Sequence, residues 1–230
     1  MMRSAVIFDL DGTLLDTIED IAAALNRVLA RRDQPPCSIE ECKAMVGEGM
    51  ETLVRRAFPG ESGAAAVEDF VRQFRAEYAE VWRDHSRPYP GIPELLAELE
   101  SRNVRTAVLS NKSHPFTEAM VRELLPFSFE VIRGAIPGVP HKPDPAAAFL
   151  IASQMALEPR QFVFLGDTWI DMRTAVAAGM FPAGALWGFR DAAELSDAGA
   201  AVLLEKPLDL LACSTCNSSG LFSGGSPESS

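Results

Sequence analysis

Ser4-Ala5-Val6-Ile7-Phe8-Asp9-Leu10-Asp11-Gly12-Thr13 decides the architecture of this chain. Residues 4–8 are a short apolar run with β-branched members, the pattern of a buried strand. The run stops on two acids and Gly12, a loop signal. Open parallel sheets bind ligands beyond the carboxyl ends of their strands, so a strand ending in carboxylates marks a candidate site as well as a fold.

Downstream of this stretch, Ile18, Ile21, Ala22, Leu25, Val28 and Leu29 recur at helical spacing until Pro35-Pro36. Ser38-Ile39-Glu40-Glu41 reads as a helix cap and first turn, with an acid three positions after the serine. That helix should end near Gly47, and residues 50–58 are helical again. The longest predicted helix covers 64–82, with Val67, Phe70, Val71, Phe74, Tyr78, Val81 and Trp82 as a stripe expected to pack in the core. Pro88-Tyr89-Pro90-Gly91 is a rigid linker, and the pattern then changes. Strands are expected at 104–109, 129–132, 162–165, 182–186 and 201–204, with helices at 95–99, 116–125, 145–155 and 170–178 between them.

This alternation predicts an α/β fold, a Rossmann-like and mostly parallel sheet covered on both faces. No strand signal appears between about 16 and 87, which implies an all-helical cap inserted after the first strand. The catalytic core is then discontinuous, 1–15 and 88–212, with the cap at 16–87. Residues 213–230, rich in Ser and Gly, read as a disordered tail.

Composition narrows the class. The 230 residues carry a formal net charge of −11, which argues against a nucleic-acid groove, since that needs a basic stripe. A small anionic substrate is still allowed, because one lysine or one metal inverts the field of a pocket. The apolar run at the start is too short and too acidic for a signal peptide, and none reaches the ~20 residues a membrane helix needs. A soluble cytoplasmic protein, monomer or homodimer, is expected. Cys37, Cys42, Cys213 and Cys216 are read as free thiols, because the Cys213-x-x-Cys216 pair lacks further ligands.

The chemistry-bearing residues stand at predicted strand ends or loops. After Asp9-Leu10-Asp11 come Ser110-Asn111-Lys112, then Lys142 before a helix, then Gly166-Asp167-Thr168-Trp169-Ile170-Asp171. Several carboxylates in one cleft raise each other's pKa, and a hard divalent cation removes that penalty. Mg2+ takes oxygen ligands from one or two carboxylates plus a substrate phosphate. Asp9 and Asp167 are the best candidates, and Asp171 lies one helical turn further on. A carboxylate nucleophile suits phosphoryl transfer, where alignment and charge neutralisation dominate. Asp9 is the expected nucleophile and Asp11 the acid and base for the leaving oxygen and water. Lys142, Ser110 and Asn111 are expected to hold phosphoryl oxygens, and Thr13 to fix the loop by a local hydrogen bond.

These motifs resemble the haloacid dehalogenase-like hydrolase superfamily over about residues 4–210. Asp9-Leu10-Asp11-Gly12-Thr13 is similar to its first motif, Ser110-Asn111 to its second, Lys142 to its third, and Gly166-Asp167 with Asp171 to its fourth. The resemblance implies Mg2+ held by Asp9, the Asp11 backbone carbonyl and Asp167, and a mobile cap that closes over a small phosphorylated metabolite. Asp11 argues against dehalogenation, because the true dehalogenases lack an aspartate there.

Within the superfamily the likeness is to phosphoglycolate phosphatases. It rests on Asp16-Thr17, Met45-Val46-Gly47-Glu48-Gly49-Met50, Ser110-Asn111-Lys112 and Gly138-Val139-Pro140-His141-Lys142-Pro143. The expected activity is Mg2+-dependent phosphomonoester hydrolysis through a phospho-aspartate, on 2-phosphoglycolate. Pyrophosphate hydrolysis and sugar-phosphate hydrolysis or mutation are the alternatives on the same site. Gly47-Glu48-Gly49 either reads the leaving group or is a plain helix–helix turn. Arg55 and Arg56 either bind a substrate carboxylate or lie on a solvated helix face.

Overall fold

A computed structural model of the chain describes residues 4–60 and 63–212. Six parallel strands form one sheet: β1 (Ala5–Phe8), β2 (Arg105–Ser113), β3 (Val131–Ala135), β4 (Phe162–Gly166), β5 (Phe181–Ala185) and β6 (Val202–Leu204). Their spatial order is β3-β2-β1-β4-β5-β6. The chain builds outward from β1 on one side, then crosses to β4 on the other, so the order reverses at β1. That switch point is where a crevice opens at the carboxyl edge of such sheets. The register sets Phe8 level with Val108 on β2 and Leu165 on β4, so the ends of β1 and β4 emerge beside the second half of β2.

All four residues of β1 are buried. Val6 and Phe8 join one apolar cluster, and Ala5 and Ile7 join another on the opposite face, as side-chain alternation requires.

Four helices stand between β1 and the return to the sheet: α1 (Ile18–Ala30), α2 (Ile39–Met45), α3 (Met50–Ala57) and α4 (Ala64–Val81). Ser38 and Glu41 form the expected capping box at the start of α2. The predicted stripe of α4 is core, with Val67, Phe70, Phe74, Tyr78 and Val81 all buried. Contrary to the expectation of no strand here, Leu15–Asp16 pairs antiparallel with Arg87–Pro88. The entry and exit of the helical segment therefore run side by side. Asp20, fully buried in the first turn of α1, accepts hydrogen bonds from the Ser86 amide and hydroxyl at 2.8 and 2.7 Å. It also accepts from the His85 amide, which ties the start of the segment to its end.

The sheet is flanked by α5 (Ile92–Ser101), α6 (His114–Leu124), α7 (Ala146–Gln154), α8 (Trp169–Ala178), α9 (Ala192–Asp197) and α10 (Asp209–Ala212). One strand differs from expectation in a way that matters. β2 runs to Ser113 rather than stopping near 109, with a register shift against β3 between Leu109 and Ser113. Ser110, Asn111 and Lys112 thus sit on the strand itself. The tail at 213–230, with Cys213 and Cys216, lies outside the described residues. Among the described residues, no helix is long and apolar enough to cross a membrane.

Candidate functional site

The loop after β1 is folded by its own backbone. The Leu10 carbonyl accepts the amides of Thr13, Leu14 and Leu15, and the Gly12 amide donates to Leu15 O. Gly12 takes φ +84°, and a Cβ there would fall 2.2 Å from Asp167 Oδ2. A side chain is excluded by conformation and by space alike. The same crowding recurs nearby. A Cβ on Gly188 would lie 2.3 Å from Asp167 Cβ and 2.4 Å from Gly12 O, and one on Gly166 would lie 2.3 Å from Asp171 Cβ. Backbone from two loops and from the end of β4 closes directly on the two aspartates.

Asp167, fully buried, is held by Thr13 Oγ1, which donates to Oδ1 at 2.8 Å, and by the Phe189 amide, which donates to Oδ2 at 2.8 Å. Asp171 caps its own helix, accepting from the Thr168 amide and hydroxyl through Oδ2 at 3.1 and 2.8 Å. Its other oxygen faces Lys142 Nζ at 2.6 Å, and the same ammonium lies 2.8 Å from Asp9 Oδ1. Lys142 is itself only 3% exposed.

Asp9, Asp167 and Asp171 each offer an oxygen within 4.8 Å of the others. Three buried carboxylates share one lysine, so negative charge is in excess. Burial, and then the Asp171 charge, push the Asp9 carboxyl up to about 7 despite Lys142. Burial, then the charges of Asp171 and Asp9, hold Asp167 well above the usual carboxylate range. For Lys142 burial opposes the charge, but Asp171 and Asp9 outweigh it and raise the ammonium's pKa. An all-oxygen donor set with unneutralised charge fits a hard divalent cation, Mg2+ above all.

β2 supplies the opposite wall. Asn111 is locked in place: its side-chain amide donates to Lys142 O at 2.9 Å and Gly47 O at 3.0 Å, and its oxygen accepts the Lys142 amide at 2.9 Å. Ser110 Oγ accepts the Lys112 amide at 3.1 Å, which leaves its O–H as a donor. Lys112 Nζ lies 2.6 Å from Asp11 Oδ1, and Thr17 Oγ1 donates to that same oxygen at 2.7 Å. These groups border a cavity between the strand ends and the helical segment, with Asp9, Asp11 and Lys112 on one side and Met50, Leu53 and Phe74 on the other.

The structure brings together Asp9, Asp11, Ser110, Asn111, Lys142, Asp167 and Asp171. Thr13 bonds across the site to Asp167 rather than within its loop, and the Asp11 carboxylate turns to Lys112, outside the aspartate trio. Gly47 and Gly49 line the cavity, while Glu48 bonds to Arg56. Arg55 is not brought to the site: it bonds to Glu51 along the exposed face of α3 at 2.8 Å. Sequence reading missed the parts played by Lys112, Thr17, Tyr78 and Gly188. It also missed Arg190, which donates to the Lys43 and Val46 carbonyls at 2.7 and 3.0 Å and so links the loop after β5 to the end of α2. Of these, Lys112 and Thr17 carried a signal, the first next to Ser110-Asn111 and the second in Asp16-Thr17.

The sequence profile of the haloacid dehalogenase-like hydrolases matches residues 6–185. Phosphoglycolate phosphatase 1 of Pseudomonas aeruginosa is 32% identical over 213 residues, 90% of this chain and 78% of that protein. The N-acetylmuramic acid 6-phosphate phosphatase of the same organism is 32% identical over 220 residues, 92% of this chain and 94% of that protein. A Lactobacillus delbrueckii subsp. bulgaricus crystal structure, provisionally named a phosphoglycolate phosphatase, superposes with a TM-score of 0.87. It is 28% identical, and the match covers 97% of this chain and 100% of the other.

Proposed function

The chain belongs to the haloacid dehalogenase-like hydrolase family, and from that premise we propose that it is a Mg2+-dependent phosphomonoester hydrolase working through a phospho-aspartate on Asp9. The observation that carries this reading is the burial of Asp9, Asp167, Asp171 and Lys142 together at the ends of β1 and β4. A nucleophilic carboxylate needs to be ionised next to a dianionic ester, and Lys142 favours that state. When bound, Mg2+ held by Asp9, Asp167 and the Asp11 carbonyl, with Asp171 alongside, neutralises charge on the phosphoryl group.

Asp9 attacks phosphorus through a carboxylate oxygen, and the bond from phosphorus to the leaving oxygen breaks. Asp11 gives its proton to that oxygen, which departs as an alcohol. In the second step water attacks phosphorus, Asp11 takes a proton from it, and the bond to Asp9 breaks to release phosphate. Ser110 O–H, the ammonium of Lys142 and the amides after Asp9 hold the equatorial oxygens, while Asn111 sets the Lys142 backbone. Residues 16–87 act as a cap: the helices lie over the strand ends, and the paired linkers at 15–16 and 87–88 form its hinge.

The substrate we favour is 2-phosphoglycolate, a small cytoplasmic metabolite, on the likeness to phosphoglycolate phosphatases. A sugar-phosphate substrate is the second reading, supported by the relative acting on N-acetylmuramic acid 6-phosphate, which matches over more of its own length. Phosphate release is to be measured from a panel containing both compounds and pyrophosphate, with Mg2+ or chelator, on wild type and Asp9→Asn. Turnover of 2-phosphoglycolate that vanishes with chelator and in the variant is expected. Turnover that survives in Asp9→Asn removes the nucleophile assignment.

A further inference from the structure

Lys112 is the only cation among the described residues lining the cavity. Its side chain is 7% exposed, and it directly follows Ser110 and Asn111 on β2. Its ammonium touches Asp11 Oδ1 and lies 4.8 Å from the centre of the Tyr78 ring. Most of the remaining wall on the helical side is apolar, from Ile21, Val46, Met50, Leu53 and Phe74. An ammonium has three N–H donors, and with Asp11 and Tyr78 as its partners one is left for a ligand. Asp11, for its part, has Oδ1 occupied by both Lys112 and Thr17.

We propose that Lys112 determines specificity by binding a carboxylate on the leaving group, one carbon removed from the oxygen that Asp11 protonates. The proposal rests on the phosphatase reading above and sharpens its substrate class. The geometry follows from Asp11. An acid that protonates the leaving oxygen must touch it, and Lys112 touches that acid. A carboxylate attached through one methylene therefore reaches the ammonium, while the apolar wall offers it no other cation. Acid-bearing substrates thereby gain in binding, and neutral ones do not.

The test compares 2-phosphoglycolate with 2-hydroxyethyl phosphate, which keeps the chain length and replaces the carboxylate by an alcohol. The quantity read is the ratio of their kcat/KM values, so a general effect of Lys112 on Asp11 cancels. In Lys112→Met the ratio should fall on the order of 10- to 100-fold, the scale of one charge-assisted hydrogen bond. Lys112→Arg should retain most of it. An unchanged ratio in Lys112→Met overturns the proposal. Binding of 3-phosphonopropionate against propylphosphonate, read by calorimetry with Mg2+ on wild type and Lys112→Met, gives a second reading that needs no turnover. At least tenfold tighter binding of the carboxylated compound is expected in wild type and its loss in Lys112→Met; equal binding in wild type, or a preference that survives in the variant, overturns the proposal. If wild type hydrolyses no phosphomonoester with Mg2+ present, the phosphatase reading fails by itself, and the phosphonate comparison still decides the role of Lys112.

Discussion

Gly188 illustrates how closely the chain is drawn around Asp167. The two nearest atoms that an added methyl would meet are the Asp167 Cβ at 2.3 Å and the Gly12 carbonyl oxygen at 2.4 Å, neither of them the far end of a flexible side chain. Gly188→Ala must push the Asp167 carboxylate or the loop after β1. Overpacking of this kind destabilises by about 1–3 kcal/mol, and displacing a metal-facing carboxylate weakens metal binding roughly 10- to 100-fold. Urea unfolding with chelator and the Mg2+ concentration for half-maximal activity are the two measurements. A variant with wild-type values for both would show that the cradle is looser than its spacing. The acids it surrounds were legible from sequence, because Asp9, Leu10, Asp11 and Gly12 are contiguous and their chemistry is unusual in combination. Gly188 was not, since nothing within its own neighbourhood announces an aspartate 21 residues earlier (188 − 167). The pairs Thr13–Asp167 and Asp11–Lys112 lie 154 and 101 positions apart and are created only by the sheet.

At the scale of elements, sequence reading succeeded where one force dominates. The buried strands, the Ser38 cap and the apolar stripe of α4 each follow from a local pattern. It failed where pairing overrides composition. The end of β2 is Ser110-Asn111-Lys112-Ser113, too polar to look like strand, yet Ser113 pairs with Ala135 after the register shift. The ribbon of Leu15–Asp16 with Arg87–Pro88 is two residues long on each side, too short for any periodicity. Arg190 belongs to the same class. Its guanidinium donates to the Val46 carbonyl just past α2, and to the Lys43 carbonyl, whose other partner is the Val46 amide at 3.3 Å. Hydrogen bonds to a charged donor contribute more than neutral ones, about 1.5–3 kcal/mol. Arg190→Ala should therefore speed hydrogen exchange of the amides of residues 43–49 by roughly tenfold or more, with little change in the exchange of the sheet. Uniform acceleration throughout the chain would mean that Arg190 stabilises the fold globally instead of fastening this segment.

For the whole molecule, the concentration of buried acid couples folding, metal and pH. Without a cation, Asp9 titrates at about 7 in the folded protein against an ordinary value of 3.8. Between these values the folded state holds a proton that the unfolded chain has lost. The stability associated with that proton is complete below about 3.8 and disappears as pH rises through about 7. The slope for one such group approaches about 1.4 kcal/mol per pH unit, and Asp167, raised in the same direction, steepens it. Under the proposed Mg2+ site, binding reverses the balance, because the cation requires the carboxylates ionised and displaces the proton. Below about 7 apparent Mg2+ affinity should fall by up to roughly tenfold per pH unit for each displaced proton. Above it, affinity should level off. Thermal unfolding between pH 5.5 and 8.5, with chelator or with 10 mM Mg2+ (an amount on the order of a large excess over such a site), reads this directly. The rise in Tm caused by Mg2+ should be small at the acid end and grow to a plateau above neutrality. In Asp9→Asn the metal-free curve should lose part of its decline across the same range, since the amide has no proton to release. A Mg2+ increment that is the same at every pH would mean that the cation is bound elsewhere, and that the aspartates at the ends of β1 and β4 are not its ligands.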